Sequence, residues 1–257
     1  MVTLRIGKHT IEMYDTIDEL PIVRFHKYQK LLLIDAGVGA DIQAFDHRIE
    51  RARLFLADGK YEQAAKELGN LRQSVFLIQS ELTPRHRAFA ALITKLDGKV
   101  CDDISDTALE KITAALGDIK ESELTARLEA VKKKIDAELT LYFPALFNDS
   151  EVKEYYDILK KRTLEILNGI VEGAKNPGET KAIEKLTSML ITYSSPKNFE
   201  GSESAEIQFD RQFENLCLAM SEQLHIKPKE QSVLEFYNAF DFVQERAKQI
   251  ERAQKRP

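Results

Sequence analysis

Cysteine is nearly missing from this chain. The two present, Cys101 and Cys217, lie far apart, and neither sits in a Cys-x-x-Cys pair. They read as two reduced, buried thiols of a cytosolic-type environment. Long apolar runs are missing too: no stretch approaches the ~18 continuous apolar residues of a membrane span. Residues 1–6 show no signal-peptide hydrophobic region. A surplus of positive charge is also lacking. With 37 Lys and Arg against 42 Asp and Glu the net charge is -5, which argues against a general nucleic-acid binder. Tryptophan is absent altogether, which by itself carries no functional meaning.

Chemical motifs are equally scarce. The histidines are His9, His26, His47, His86 and His225, and no two fall three or four residues apart on one helix, so a helical zinc pair is excluded. His47, beside Asp46 and near Glu50, needs a cleft and a partner to act as a base and reads as a solvated surface histidine. Gly37-Val38-Gly39 follows a helix, not a strand, and reads as a helix terminator, not a dinucleotide fingerprint. A lysine-bearing phosphate loop and a Gly-x-Ser-x-Gly elbow are both lacking. Asp102, Asp103 and Asp106 sit where helix N-termini attract negative charge, without the glycine and closing glutamate of a calcium loop. The basic runs 132–134 and 160–162 each spread over about 200° of helical arc and read as solvated faces, as do Arg85, His86 and Arg87. No catalytic, cofactor-binding or metal-binding residue is assigned, and no cofactor is expected.

Helix is what the chain has in abundance. Its 257 residues are 43% hydrophobic and 31% charged, the composition of a soluble helical protein of one large or two smaller domains. The clearest periodicity runs over residues 41–82. Ile42, Phe45, Ile49, Ala52 and Leu56 fall at offsets of three, four, three and four, one stripe of a helix. Asp58-Gly59 stops it, and Tyr61, Ala64, Ala65, Leu68, Leu71, Val75, Ile78 and Leu82 continue the spacing. The short link favours antiparallel packing of the two stripes. The turn at residues 57–65 resembles that of a tetratricopeptide unit. No second copy occurs at a spacing of roughly 34 residues, so a local helical hairpin is preferred.

Elsewhere, residues 3–6 and 10–13 alternate in polarity around Gly7-Lys8-His9 and predict a β-hairpin, which must pack on the helices or pair with another chain. Thr16 and Glu19 have capping-box spacing, and a central helix is expected over residues 21–35. Thr83-Pro84 opens a helix through Phe89, Leu92 and Leu96, closed by Asp97-Gly98, with residues 99–104 as a connector. Ser105 is expected to cap a helix to Leu116. Ser122 is expected to cap another, whose stripe is Leu124, Leu128, Val131, Ile135, Leu139 and Tyr142. Ser150 starts a long helix through Val152, Tyr156, Leu159, Ile166 and Ile170, residues 173–178 form a loop, and a helix follows to about Tyr193. Residues 194–204, with Pro196, Gly201 and four serines, are the linker candidate. Two further helices follow, one lined by Phe209, Phe213, Leu216, Met220 and Leu224, the other by Val233, Phe236, Tyr237, Phe240, Val243, Ala247 and Ile250. The basic tail, residues 252–257, is expected to fray. The fold class is mainly α, a multi-helix bundle with a small N-terminal β-hairpin. The domain layout is 1–100, 101–197 and 198–257, or one continuous domain.

Residues 14–25 (YDTIDELPIVRF), continuing into 30–35 (KLLLID), and residues 232–240 (SVLEFYNAF) together resemble helical proteins in the structural-gene blocks of tailed phages and prophages, especially those of Bacteroidetes hosts. No catalytic or binding motif comes with the likeness. What it implies is a virion component or an assembly factor for head-to-tail joining or the tail. With the end-to-end helical pattern and the lack of chemical motifs, the expectation is a non-enzymatic homo-oligomer that contacts phage structural proteins or itself in the host cytoplasm during assembly, with the virion as the alternative location. The alternatives are a helical adaptor or regulatory module directed at a host protein, and an enzyme whose residues are scattered along the chain. A deep pocket gathering His47 or His86 with carboxylates would favour the enzyme.

Overall fold

The computed structural model describes residues 1–40, 43–80, 83–147, 150–173, 180–193 and 195–254. In chain order the elements are β1 (Val2–Ile6), β2 (His9–Met13), α1 (Ile22–Gly37), α2 (Gln43–Ala57), α3 (Tyr61–Gln79), α4 (Pro84–Leu92), β3 (Ile93–Leu96), β4 (Lys99–Val100), α5 (Asp106–Ala115), α6 (Glu121–Tyr142), α7 (Pro144–Phe147), α8 (Ser150–Val171), α9 (Lys181–Thr192), α10 (Ala205–Leu224) and α11 (Val233–Gln254). A 3₁₀ turn, Pro228–Glu230, joins the last two. The class is mainly α with a small antiparallel sheet built on the N-terminal hairpin. The chain groups into two compact units that interleave along the sequence, one of Met1–Gly39, Leu82–Pro144 and Ala205–Pro257, the other of Ala40–Glu81 and Ala145–Ser204.

The first unit holds the sheet, ordered β1-β2-β3-β4. Ile6 pairs with His9, leaving Gly7-Lys8 as a two-residue turn, and Gly7 supplies the positive φ of +57° that this turn needs. The second hairpin corrects the sequence expectation. The helix opened by Pro84 ends at Leu92 rather than passing through Leu96, and Lys99–Val100 is a strand rather than connector. Ile93-Thr94-Lys95-Leu96 begins with two β-branched residues and leads into Asp97-Gly98, whose φ values of +51° and +80° are both positive, as a tight hairpin turn demands. The free edge of β2 takes β3 in antiparallel register, so the hairpin that called for a further partner finds it in its own chain, four helices later.

Helix α1 is the hub of this unit. Phe25, Tyr28 and Leu31 are buried, and α4, α10 and α11 pack around it. Arg24 is buried with them because its guanidinium donates to three carbonyls, Ala91 O at 3.1 Å, Ile93 O at 3.0 Å and Cys101 O. It thereby pins the point where α4 becomes β3, satisfying groups that a buried chain break would otherwise orphan. In α6 the expected stripe is buried from Leu124 to Leu139, but Tyr142 is exposed. That helix starts at Glu121 after Lys120, so Ser122 lies inside it, whereas Ser105 does cap α5, its Oγ accepting from Ala108 N. The turn at Thr16 closes as Leu20 N donates to Thr16 O. The two stretches that carry the family likeness meet here: Pro21 bridges Ser232, Ile22 N donates to Gln231 O, and Val233 N donates to Leu20 O.

In the second unit α3 packs on α2, α2 on α9, and α9 on α8. The linker candidate is a packed strap. Pro196, Phe199 and Ser204 are buried, Asn70 Nδ2 donates to Lys197 O at 2.9 Å, and Gln73 Nε2 to Phe199 O at 2.8 Å. In α8, Ile158 is buried, while Tyr156 and Ile170 of the expected stripe are exposed. Gly173 follows α8 with φ of +74°. The rest of the loop expected over 173–178, the ends of the 41–82 stretch and the last three residues of the tail lie outside the described residues.

Candidate functional site

The histidines go to separate places. His47 is exposed on α2 and His225 is exposed after α10. His86 lines a cleft of about 200 Å³ with Phe89, Thr113, Leu116, Gly117, Ile119 and Leu124. Among the described residues no cluster of three or more His, Cys, Asp or Glu is placed to hold a metal ion, and no helix is long and apolar enough to cross a membrane.

Two histidines do have defined electrostatic settings. His9 sits between carboxylates, Nδ1 at 2.7 Å from Asp97 Oδ2 and Nε2 at 3.0 Å from Asp118 Oδ1. A neutral imidazole has one N–H, so serving both acceptors requires the imidazolium. The bond to Asp97 and then that to Asp118 raise its pKa above 6.5. His26 is stacked between Phe209 and Phe213, with ring centroids 4.6 and 4.1 Å away, and its Nε2 lies 2.9 Å from Asp210 Oδ1. Burial lowers its pKa against the pull of Asp210. Both arrangements join elements of the first unit: β2 to the β3–β4 turn and the end of α5, and α1 to α10.

The feature that departs furthest from an ordinary packed helix is on α3. Its buried side holds Ala64, Glu67, Asn70, Leu71 and Ser74. Glu67 Oε1 pairs with Arg51 Nε at 2.8 Å; burial pushes the carboxyl up, and Arg51 pulls it back. The opposite side repeats at offsets of four and three through Tyr61, Ala65, Leu68, Arg72, Val75 and Gln79, all exposed. Phe76 lies beside it at 63% exposure, Tyr61 at 71% and Leu68 at 53%. On α2, Ala52 and Phe55 are buried, while Ile49 and Leu56 point outward. More than half of the described side chains in the stripe that the sequence expects to close the hairpin are therefore exposed, and the buried apolar ones are Ala52, Phe55, Ala64 and Leu71, alongside the buried polar Glu67, Asn70 and Ser74.

This inversion is costly for an isolated chain. Exposed apolar surface forfeits roughly 25 cal/mol per Å², and a buried carboxylate loses hydration that its partner only partly returns. Covering the outer face with another apolar surface recovers the first cost. Charged groups lie beside this face and on it: Lys66 pairs with Glu62 at 2.6 Å, and Arg72, between Leu68 and Val75, reaches Glu200 at 3.7 Å. Exposed aromatic and aliphatic side chains with an arginine among them are the composition of a protein–protein contact. Comparison with protein-family models, with curated proteins and with solved structures finds no match for this chain.

Proposed function

We propose that this chain is a non-enzymatic contact protein of a tailed phage or prophage, a virion or assembly component of the head-to-tail joint or tail. The outward apolar face of α2 and α3 carries the contact role, because its apolar side chains stay wet until a partner covers them. The phage setting rests on the likeness of residues 14–25, 30–35 and 232–240, whose bridged packing makes them one structural feature instead of two. The partners are phage structural proteins or further copies of the chain, met in the host cytoplasm during assembly and retained in the particle.

Deletion of the gene from a producing strain is the test. The expected result is assembly stalled at one stage, heads without tails or tails without heads, restored by the wild-type gene and not by Leu68→Glu/Phe76→Glu. Normal particle yield from the deletion strain overturns the proposal. Recovery of a single host protein with the chain, and no particle protein, turns it toward the host-directed adaptor.

A further inference from the structure

Helix α8 buries one side and leaves the other in water. Ile158 is buried and Leu159, Arg162 and Ile166 half-buried, on the side where Arg162 Nε donates to Thr187 Oγ1 of α9 at 2.7 Å. Across the helix Tyr156, Leu164, Leu167, Ile170 and Val171 are exposed, Val171 at 85%. Lys160, Leu164, Leu167 and Val171 recur at offsets of four, three and four, the spacing of a seam between two helices. This face is separate from the contact face of α2 and α3.

Charge selects the occupant and its direction. Lys160 and Lys161 stand in the first half of α8, and Glu172 follows its last turn. None of the three has an ion-pair partner among the described residues. At about 100° per residue, Lys161 and Glu172 fall on the same flank of the stripe, roughly 20° apart. When two such helices run antiparallel about a point between Leu164 and Leu167, like flanks meet. Lys161 then faces Glu172 of the second copy, twice by symmetry, and Leu164 meets Leu167. The Lys160 stem lies over Val171 with its ammonium at the rim. A parallel pair sets Lys160, which lies on the seam, against its own copy and aligns the helix dipoles unfavourably. We propose that a second copy of this chain docks antiparallel along the exposed face of α8, giving an isologous dimer with a two-fold axis between Leu164 and Leu167.

Sedimentation velocity of the full chain over a range of concentrations tests this. Wild type is expected to show a monomer–dimer equilibrium. Leu164→Glu/Leu167→Glu is expected to stay monomeric throughout with an unchanged circular dichroism spectrum and melting curve, since the two side chains are 48% and 50% exposed. Lys161→Glu and Glu172→Lys should each weaken the dimer, and the two combined should restore it. Wild type that is monomeric at every concentration overturns the proposal. So does a Leu164→Glu/Leu167→Glu variant that sediments like wild type, or a double reversal that is worse than either single one. None of these variants touches α2 or α3, so their outcome is independent of the contact role assigned to that hairpin.

Discussion

His9 and His26 respond to pH in opposite senses. His9 has its folded pKa raised by Asp97 and Asp118, so the stability it adds is complete below 6.5 and is lost as pH rises through the folded value. Asp97 and Asp118 are lowered from 3.8, chiefly by His9 and by Lys8 respectively, so their share is lost as pH falls through their folded values. The cluster is therefore strongest between those two ranges. His26 is lowered by burial between its phenylalanines; its neutral form favours the fold, and that contribution fades as pH drops below 6.5. A proton NMR titration is expected to show one histidine titrating above the ordinary value and one below, assigned by His9→Gln and His26→Gln. Coincident titration of both at the ordinary value would contradict this assignment. Tyr28 makes a second residue-level case. Its side chain is fully buried and its hydroxyl has no hydrogen-bond partner among the described residues; burial pushes the phenol upward. Tyr28→Phe removes an unsatisfied polar group from the core and is expected to raise stability by about 1 kcal/mol in chemical denaturation; a loss of that size would reveal a hidden partner.

At the scale of elements, local signals decide most boundaries and tertiary pairing decides the rest. Ser232 and Glu235 form a true capping box at the start of α11, with Ser232 N donating to Glu235 Oε2 at 3.0 Å and Glu235 N to Ser232 Oγ at 3.3 Å. Ser232→Ala is expected to cost about 1 kcal/mol. The second hairpin rests on Asp97-Gly98, and Gly98→Ala places a Cβ at φ of +80°, with an expected loss of about 1 kcal/mol and weaker amide protection across β3 and β4. Unchanged hydrogen exchange there would mean that the turn does not hold the strands. These cases also show what was readable in advance. Ser105, Gly37-Val38-Gly39 and the α6 stripe act through neighbours three or four residues away, which a periodic pattern records. The strand at residues 93–96 needed the edge of β2, about 80 residues earlier in sequence, so its four residues were absorbed into the preceding helix. Arg24 was equally illegible, because its three acceptors lie 67 to 77 residues away.

For the whole molecule the governing fact is where apolar surface goes. Periodicity alone expects every stripe to close on another stripe of the same chain. That holds for most of the first unit, where α1, α4, α6 and the sheet contribute buried side chains, with Tyr142 of α6 and Ala247 of α11 as exposed exceptions. It fails on α3 and α8, where part of the apolar pattern faces water, because a hydrophobic period records which residues share a face and not whether the covering surface belongs to the same chain. The units also draw on discontinuous segments, whereas composition and loop signals suggest consecutive blocks. The most direct test of the contact role is a photo-crosslinking side chain placed at Phe76, with the exposed Lys133 of α6 as the control position, in cells assembling particles. The expected result is a discrete intermolecular adduct at Phe76, with another protein or with a second copy of the chain, absent at Lys133. The same background at both positions, or crosslinks confined within one molecule, would contradict the claim that the outer face of α3 is covered by a partner.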